Sequence, residues 1–143
     1  MKILFLNGPN LNMLGIREPE IYGNLTLENI NEMIKNECEK IGVTAEFYQS
    51  NCEGELIDKI HSTHNSDIYG IVFNPGAYSH YSIAISDAIK SVSTPCIEVH
   101  MSNVFAREEK RHNMVTATAS KGVISGFGAY SYIMGLYALV KGK

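Results

Sequence analysis

The chain has 143 residues, of which 45% are hydrophobic and 19% are charged. These proportions are typical of one folded globular domain and exclude a disordered or fibrous protein. The net charge of −3, with no block of Lys and Arg, excludes nucleic acid as the main partner. The three cysteines are scattered and odd in number, which favours buried thiols in a reducing, cytoplasmic compartment over disulfides or a metal cage.

The apolar run from Ile3 to Leu6 predicts the first strand. A loop of about 18 residues follows it, far longer than the ~2 to 6 residues usual between a strand and a helix. Such a loop is either disordered or functional, and its Arg17 and Tyr22, with two prolines and two glycines, favour a functional lid.

Thr26 can cap the first helix, and Gly42 ends it. The apolar residues between them share one face: Leu27, Ile30, Ile34, Cys38 and Ile41. The alternation from Val43 to Phe47 predicts a second, more exposed strand near a sheet edge. A short amphipathic helix follows, with Leu56, Ile57 and Ile60 inward.

The third strand runs from Ile68 to Phe73 and stops at the turn Asn74-Pro75-Gly76. A third helix is predicted from Ser79 or Tyr81 to Val92, with its inward residues at Ala84, Ala88 and Ile89. The fourth strand covers Cys96 to Val99.

One uncharged stretch, from Gly122 to Val140, meets the length test for a membrane span. Two glycines, at 126 and 128, divide it into a β-branched piece and a helical piece of about 12 residues, and neither can cross ~30 Å of hydrocarbon. We therefore predict a final buried strand with a covering helix, and no membrane association.

Strands that alternate with helices predict a parallel sheet covered on both faces. Five strands in one domain, residues 1–143, suit an α/β flavodoxin-like doubly wound sheet with strand order 2-1-3-4-5. That order brings Asn7, Asn10, Asn74 and His100 to one rim, with the active crevice between strands one and three.

Glu98 and His100 lie two apart on one strand, so their side chains share a face. A buried carboxylate is costly unless paired, and a glutamate that orients a histidine is a general acid–base unit. The alternative is a surface glutamate beside an ordinary histidine.

Other polar residues carry weaker signals. On sequence alone, Tyr22 is best interpreted as a loop packing residue, because a phenol with a pKa near 10 is a poor base at neutral pH. Lowering that pKa by about 2 units needs ~2.7 kcal/mol of stabilisation of the phenolate from neighbouring cations such as Arg17. His61 and His64 form a solvated pair without a third ligand. Asparagine rather than aspartate ends the strands, so we expect no metal.

Five segments in register resemble the type II 3-dehydroquinase (3-dehydroquinate dehydratase) family, and the likeness covers essentially the whole chain. They are residues Asn7 to Asn12 (NGPNLN), Arg17 to Gly23 (REPEIYG), Asn74 to His80 (NPGAYSH), Glu98 to Asn103 (EVHMSN) and Ala106 to Glu109 (AREE). The resemblance implies a lyase that converts 3-dehydroquinate to 3-dehydroshikimate by trans elimination through an enolate, without cofactor, metal or Schiff base.

Residue by residue, the resemblance implies that Tyr22 is the base, its phenolate favoured by Arg17 and Arg107. His100, held by Glu98, is then the acid that protonates the departing hydroxyl. Asn10 positions a water at the enolate oxygen. The implied substrate-binding residues are Asn74, His80, Asp87, Met101, Ser102, Arg107 and Arg111.

The family also implies a homododecamer built as a tetramer of trimers, with Asp87 reaching a neighbouring subunit's site. Ser79, Tyr81, Ser86 and Met101 depart from the commoner family pattern. Ser79 keeps a hydroxyl and Met101 would act through its backbone, so the implied chemistry stands, whereas Tyr81 and Ser86 leave the subunit contacts open. The best rival function is a flavodoxin-like binding module for flavin or nucleotide, since a fold does not fix a function.

Overall fold

A computed structural model describes residues 1–16, 20 and 24–142. Five strands form one parallel sheet: β1 Lys2–Asn7, β2 Thr44–Gln49, β3 Ile68–Asn74, β4 Cys96–His100 and β5 Gly122–Ser125. Within the described residues, four α-helices accompany it: α1 Leu27–Lys40, α2 Glu53–His61, α3 Ile83–Ser91 and α4 Tyr130–Lys141. The strand order β2-β1-β3-β4-β5 confirms the predicted doubly wound topology.

The alternating side chains of the central strands build two cores, one on each face of the sheet. Ile3 and Phe5 of β1 belong to the core that also contains buried residues of α1 and α4. Leu4 and Leu6 belong to the core formed with α2 and α3. Because both faces of β1 are covered, its four apolar residues read as a continuous run rather than an alternating pattern.

Local signals at the ends of α1 act as predicted. Thr26 Oγ1 accepts from the backbone N–H of Asn29, and the Asn29 side chain accepts from the N–H of Thr26, which closes a reciprocal cap. Gly42 follows the helix with φ of 72°, a conformation that suits glycine. Ile30, Ile34 and Cys38 are buried against the sheet.

The prediction for the third helix was wrong in its start and in one inward residue, Ala84, whereas Ala88 and Ile89 are buried as predicted. Gly76–His80 form a 3-10 helix, and α3 begins only at Ile83, after Ser82, whose hydroxyl accepts from the N–H of Ile85. This cap fixes which residues face inward, so Ile85 is buried with Ala88 and Ile89, whereas Ala84 is exposed.

Two burial predictions also need correction. β5 is only half-buried because it forms the edge of the sheet, and Val123 is 40% exposed. Cys52 is an exposed thiol because it precedes the first turn of α2, whereas Cys38 and Cys96 are buried. The final stretch does split into β5 and α4 as predicted, and no helix among the described residues is long and apolar enough to cross a membrane.

The long segment after β1 begins as ordered chain. Leu11–Met13 form a 3-10 turn, and Leu11 and Leu14 are buried in the core beside α1. Arg17 and Tyr22, the two residues on which the lid prediction depends, lie outside the described residues.

Candidate active site

The carboxyl ends of β1, β3 and β4 open onto a crevice of about 110 Å³, at the position predicted from the strand order. The described residues that line it come from these strand ends and the turns that follow them. They are Pro9, Asn10, Leu11, Asn74, Gly76, Ala77, His80, His100, Met101, Ser102, Val104, Arg107 and Arg111.

His100 lines the crevice and is paired with Glu98, which lies behind the described lining residues. Glu98 is fully buried, and its Oε2 accepts a hydrogen bond from Nε2 of His100 at 2.7 Å. The hydroxyl of Ser79 donates to the same oxygen at 2.7 Å, and the hydroxyl of Thr116 donates to Oε1. A carboxylate only accepts, so this arrangement makes Nε2 the donor and leaves Nδ1 as the other ring nitrogen of His100.

A second imidazole lies beside the first. The rings of His80 and His100 are stacked with centroids 6.1 Å apart. Nδ1 of His80 donates to the carbonyl of Asn113 at 2.8 Å, since a carbonyl oxygen can only accept. Burial lowers the pKa of His80, and the neighbouring charge of His100 acts in the same direction. His80 is therefore a neutral ring at pH 7, with Nε2 available as an acceptor.

Asn74 is fixed by a chain of buried hydrogen bonds. Its Nδ2 donates to the hydroxyl of Tyr132 at 2.9 Å, and that hydroxyl donates to Oδ1 of Asn7 at 2.6 Å. Oδ1 of Asn74 accepts from the N–H of Gly76 at 3.1 Å. Burial raises the pKa of Tyr132, so the phenol keeps its proton and bridges the two amides.

Asn10 has a left-handed backbone, with φ of 70° and ψ of −3°, which is uncommon outside glycine and tolerated by asparagine. Its N–H donates to Oδ1 of Asn51 at 2.9 Å. Gln49 donates to that same oxygen at 3.2 Å and to the carbonyl of Gly8 at 3.1 Å. These residues at the end of β2 hold Asn10 at the mouth of the crevice.

Gly8 allows two strand ends to approach closely. A Cβ at this position would lie 2.4 Å from the carbonyl oxygen of Pro75, a distance that real Cβ atoms essentially never show. The N–H of Gly8 donates to the carbonyl of Asn74 at 2.8 Å. The turns after β1 and β3 therefore meet backbone to backbone at the crevice.

Two arginines supply positive charge on the opposite wall. Nη1 of Arg107 lies 3.5 Å from the hydroxyl of Ser102, at the limit of a hydrogen bond. Arg111 donates from Nε to the Glu108 carboxylate and also lines the crevice. Guanidinium groups suit the recognition of a carboxylate, so this wall fits an anionic small molecule.

The structure brings the described members of the predicted site together at the crevice, apart from Asp87. Asp87 is exposed on α3 and is not among the described residues that line the crevice of its own chain. Arg17 and Tyr22 lie outside the described residues. His61 and His64 are exposed, and the described part of the chain contains no group of three or more His, Cys, Asp or Glu side chains that could hold a metal ion.

Sequence reasoning missed four supporting residues: Gln49, Asn51, Thr116 and Tyr132. Each contacts a site residue that is distant along the chain, and the Tyr132 to Asn7 bond spans 125 positions. The one available signal was the presence of tyrosines in the last helix, because a buried tyrosine hydroxyl usually has a partner.

The fold and the crevice together define a doubly wound α/β protein with an acid–base pair and cationic groups at the carboxyl edge of its sheet. Residues 1–140 match the family described as Dehydroquinase class II. The chain belongs to this family.

Similar proteins cover nearly the whole chain. It is 56% identical over 138 residues to the 3-dehydroquinate dehydratase of Caldicellulosiruptor bescii, covering 96% of this chain and 95% of that relative. It is 57% identical over 139 residues to the 3-dehydroquinate dehydratase of Clostridium acetobutylicum, covering 97% and 96%. The crystal structure of the type II dehydroquinase from Butyrivibrio crossotus is similar, with a TM-score of 0.97, 52% identity and coverage of 99% and 98%.

Proposed function

We propose that this chain is a hydro-lyase that dehydrates 3-dehydroquinate to 3-dehydroshikimate, a step of the shikimate pathway of aromatic amino-acid biosynthesis. Family membership and the printed names of its relatives support the substrate. The observation that carries the chemistry is the buried Glu98 carboxylate on Nε2 of His100, because it places a proton-transferring imidazole in the crevice.

The proposed reaction is a trans elimination through an enolate. A base removes the proton from C2 of the substrate, and the electrons of that bond enter the enolate. Loss of the C1 hydroxyl then forms the ring double bond, and His100 supplies the proton with which the hydroxyl leaves as water. Glu98 orients His100 for this proton transfer, and the 2.7 Å contact between their side chains supports this role.

Tyr22 is the proposed base, and the resemblance of its segment to the family is the support for this role. Arg17 and Arg107 favour its phenolate, since a cation close to a phenol stabilises the charged form. The proposed lid that carries Arg17 and Tyr22 closes over the substrate and excludes water.

The remaining lining residues bind the substrate. Asn74, Met101 and Ser102 hold its carboxylate and neighbouring groups, and the bridge from Tyr132 supports the orientation of Asn74. His80 and Arg111 contact the ring hydroxyls, and a neutral His80 offers an acceptor for one of them. Asn10 positions a water that stabilises the enolate oxygen.

We propose that the chain forms one catalytic domain and assembles into a homododecamer, a tetramer of trimers. Asp87 then completes a neighbouring subunit's site, which its exposed place on α3 allows. Tyr81 and Ile83 beside it are 62% and 67% exposed and are large apolar side chains that an interface would cover. Light scattering should give about twelve times the 15.8 kDa of one chain; a monomeric mass would contradict the assembly.

The direct test is spectrophotometric. Purified protein given 3-dehydroquinate should raise the ultraviolet absorbance, because the product is an enone conjugated to a carboxylate. Tyr22→Phe and His100→Ala should each lose several orders of magnitude in rate, whereas His64→Ala, which changes an exposed histidine, should match the parent. No absorbance change with the parent protein would reject the proposed function, and normal turnover of Tyr22→Phe would reject that base.

We further propose that the reaction uses no cofactor, metal or imine, and that the enzyme acts in the cytoplasm. Protein dialysed against a chelator should keep its rate. Borohydride with substrate should not inactivate it, whereas a trapped lysine adduct would show an imine route.

A further inference from the structure

Thr116 has a contact that the proposed reaction does not yet use. It lies in the 3-10 turn Thr116–Ala119 that precedes β5, is fully buried, and is not among the described residues that line the crevice. Its hydroxyl donates to Oε1 of Glu98, 18 positions earlier in the chain. A buried hydroxyl that donates to a buried carboxylate stabilises the charge of that carboxylate.

The two carboxylate oxygens of Glu98 accept different numbers of hydrogen bonds. Oε2 accepts from both Ser79 and His100, whereas Thr116 is the donor to Oε1 within the described contacts. The two donors on Oε2 restrain that oxygen, but the terminal torsion of a glutamate is intrinsically broad, so a donor on Oε1 adds a further restraint. A donor on the second oxygen fixes the plane of the group, and that plane determines where the His100 ring points.

The segment around Thr116 is itself tied to the site framework. The N–H of Val115 donates to the carbonyl of Ser79 at 2.6 Å, so the donors to the two oxygens of Glu98 belong to connected backbones. The carbonyl of Asn113, three residues before Thr116, accepts from His80. One stretch of chain therefore supports both imidazoles, His80 directly and His100 through Glu98.

We propose that Thr116 is a positioning residue for the dehydration, acting through Glu98 to hold His100 in its proton-donating orientation. This inference rests on the proposed function. Because Thr116 acts behind the crevice, removing its hydroxyl should lower kcat and leave the KM for 3-dehydroquinate within about threefold. Loss of one hydrogen bond to a charged group corresponds to a fall in kcat of about 10- to 100-fold.

Two matched pairs of variants isolate the hydroxyl. Thr116→Val keeps the shape of threonine and removes the oxygen, and it is compared with the parent protein. Thr116→Ala and Thr116→Ser both lack the γ-methyl and differ only by the hydroxyl, so serine should recover most of the kcat that alanine loses. Thr118→Val is the control, because Thr118 is exposed on the same turn and donates to the Val115 carbonyl; its kcat should be unchanged.

The outcomes separate this inference from the function itself. A parent protein that does not turn over 3-dehydroquinate rejects the function. An active parent with Thr116→Val within threefold of its kcat rejects the positioning role, and so do equal rates for the alanine and serine variants. If Thr116→Val does not fold, the kcat values of Thr116→Ala and Thr116→Ser decide whether the hydroxyl positions His100. If Thr116→Ala also fails to fold while Thr116→Ser folds, the hydroxyl serves folding and the positioning role is rejected.

Discussion

Replacing Glu98 with glutamine tests the acid–base pair most sharply. The side chain is fully buried, and the amide has nearly the same shape as the carboxylate, so Glu98→Gln removes a charge and changes little volume. The variant loses the anion that faces Nε2 of His100 at 2.7 Å. We expect a lower kcat with a folded protein.

The size of the effect follows from the contact. Opposite unit charges 4 Å apart attract by about 4 kcal/mol at an effective dielectric constant of 20. Exchanging a charge-assisted hydrogen bond for a neutral one costs about 1 to 2 kcal/mol at least. A loss of about 1 to 4 kcal/mol of transition-state stabilisation corresponds to a fall in kcat of about 5- to 1,000-fold.

The assay is the ultraviolet absorbance of the product, with kcat and KM measured separately and circular dichroism to confirm folding. Glu55→Gln is the matched control, because the Glu55 carboxylate also accepts from a serine hydroxyl but is exposed on α2, outside the crevice. Its kcat should equal that of the parent protein. If Glu98→Gln keeps kcat within threefold, the charge of Glu98 does not assist His100 and the proposed acid must be reassigned.

Three further predictions concern packing, thiols and the second histidine. Gly135→Ala should lower the free energy of unfolding by up to about 2 kcal/mol in a urea titration. The added Cβ would lie 2.9 Å from a methyl group of Val72 on the sheet, and this crowding outweighs the gain in helix propensity. An unchanged midpoint would show that α4 can shift to relieve the contact. The thiol of Cys52 alone should react rapidly with a disulfide reagent in the folded chain, because it is exposed. Burial raises the pKa of Cys38 to about 11 and that of Cys96 to about 12, so both stay as unreactive thiols. Rapid labelling of two thiols would contradict this burial. His80 should titrate below the usual pKa of about 6.5 in a nitrogen NMR experiment, because burial disfavours its charged form, and a midpoint above that value would contradict the proposed neutral acceptor.

Local patterns account for the parts of the fold that the sequence predicts well. The cap at Thr26, the stop at Gly42 and the apolar run in β1 act over a few residues, so they are visible in order along the chain. The strand order followed from the alternation of strands and helices, and it placed Asn74 and His100 at one edge.

The errors occur where a local pattern has two solutions. The residues around Tyr81 suit a helix, but a 3-10 turn precedes the cap at Ser82, so the helix starts later than predicted and Ala84 lies exposed in its first turn. The partners of Thr116 and Tyr132 could not be identified from the sequence, because these contacts exist only after strands distant in sequence have been paired. Supporting hydrogen bonds of this kind require the three-dimensional structure.

The same sheet also serves flavin and nucleotide carriers, so the fold alone did not exclude a binding module. The crevice argues against it. Its described lining includes two imidazoles and two guanidinium groups, which suit a compact anionic molecule better than the largely apolar ring system of a flavin. Burying the Glu98 carboxylate beside the stacked rings of His80 and His100 also carries a desolvation cost. Buried titratable groups of this kind cluster at reactive sites, which favours catalysis over passive binding. The acid–base chemistry therefore distinguishes this crevice from a passive site at the same edge of the same sheet.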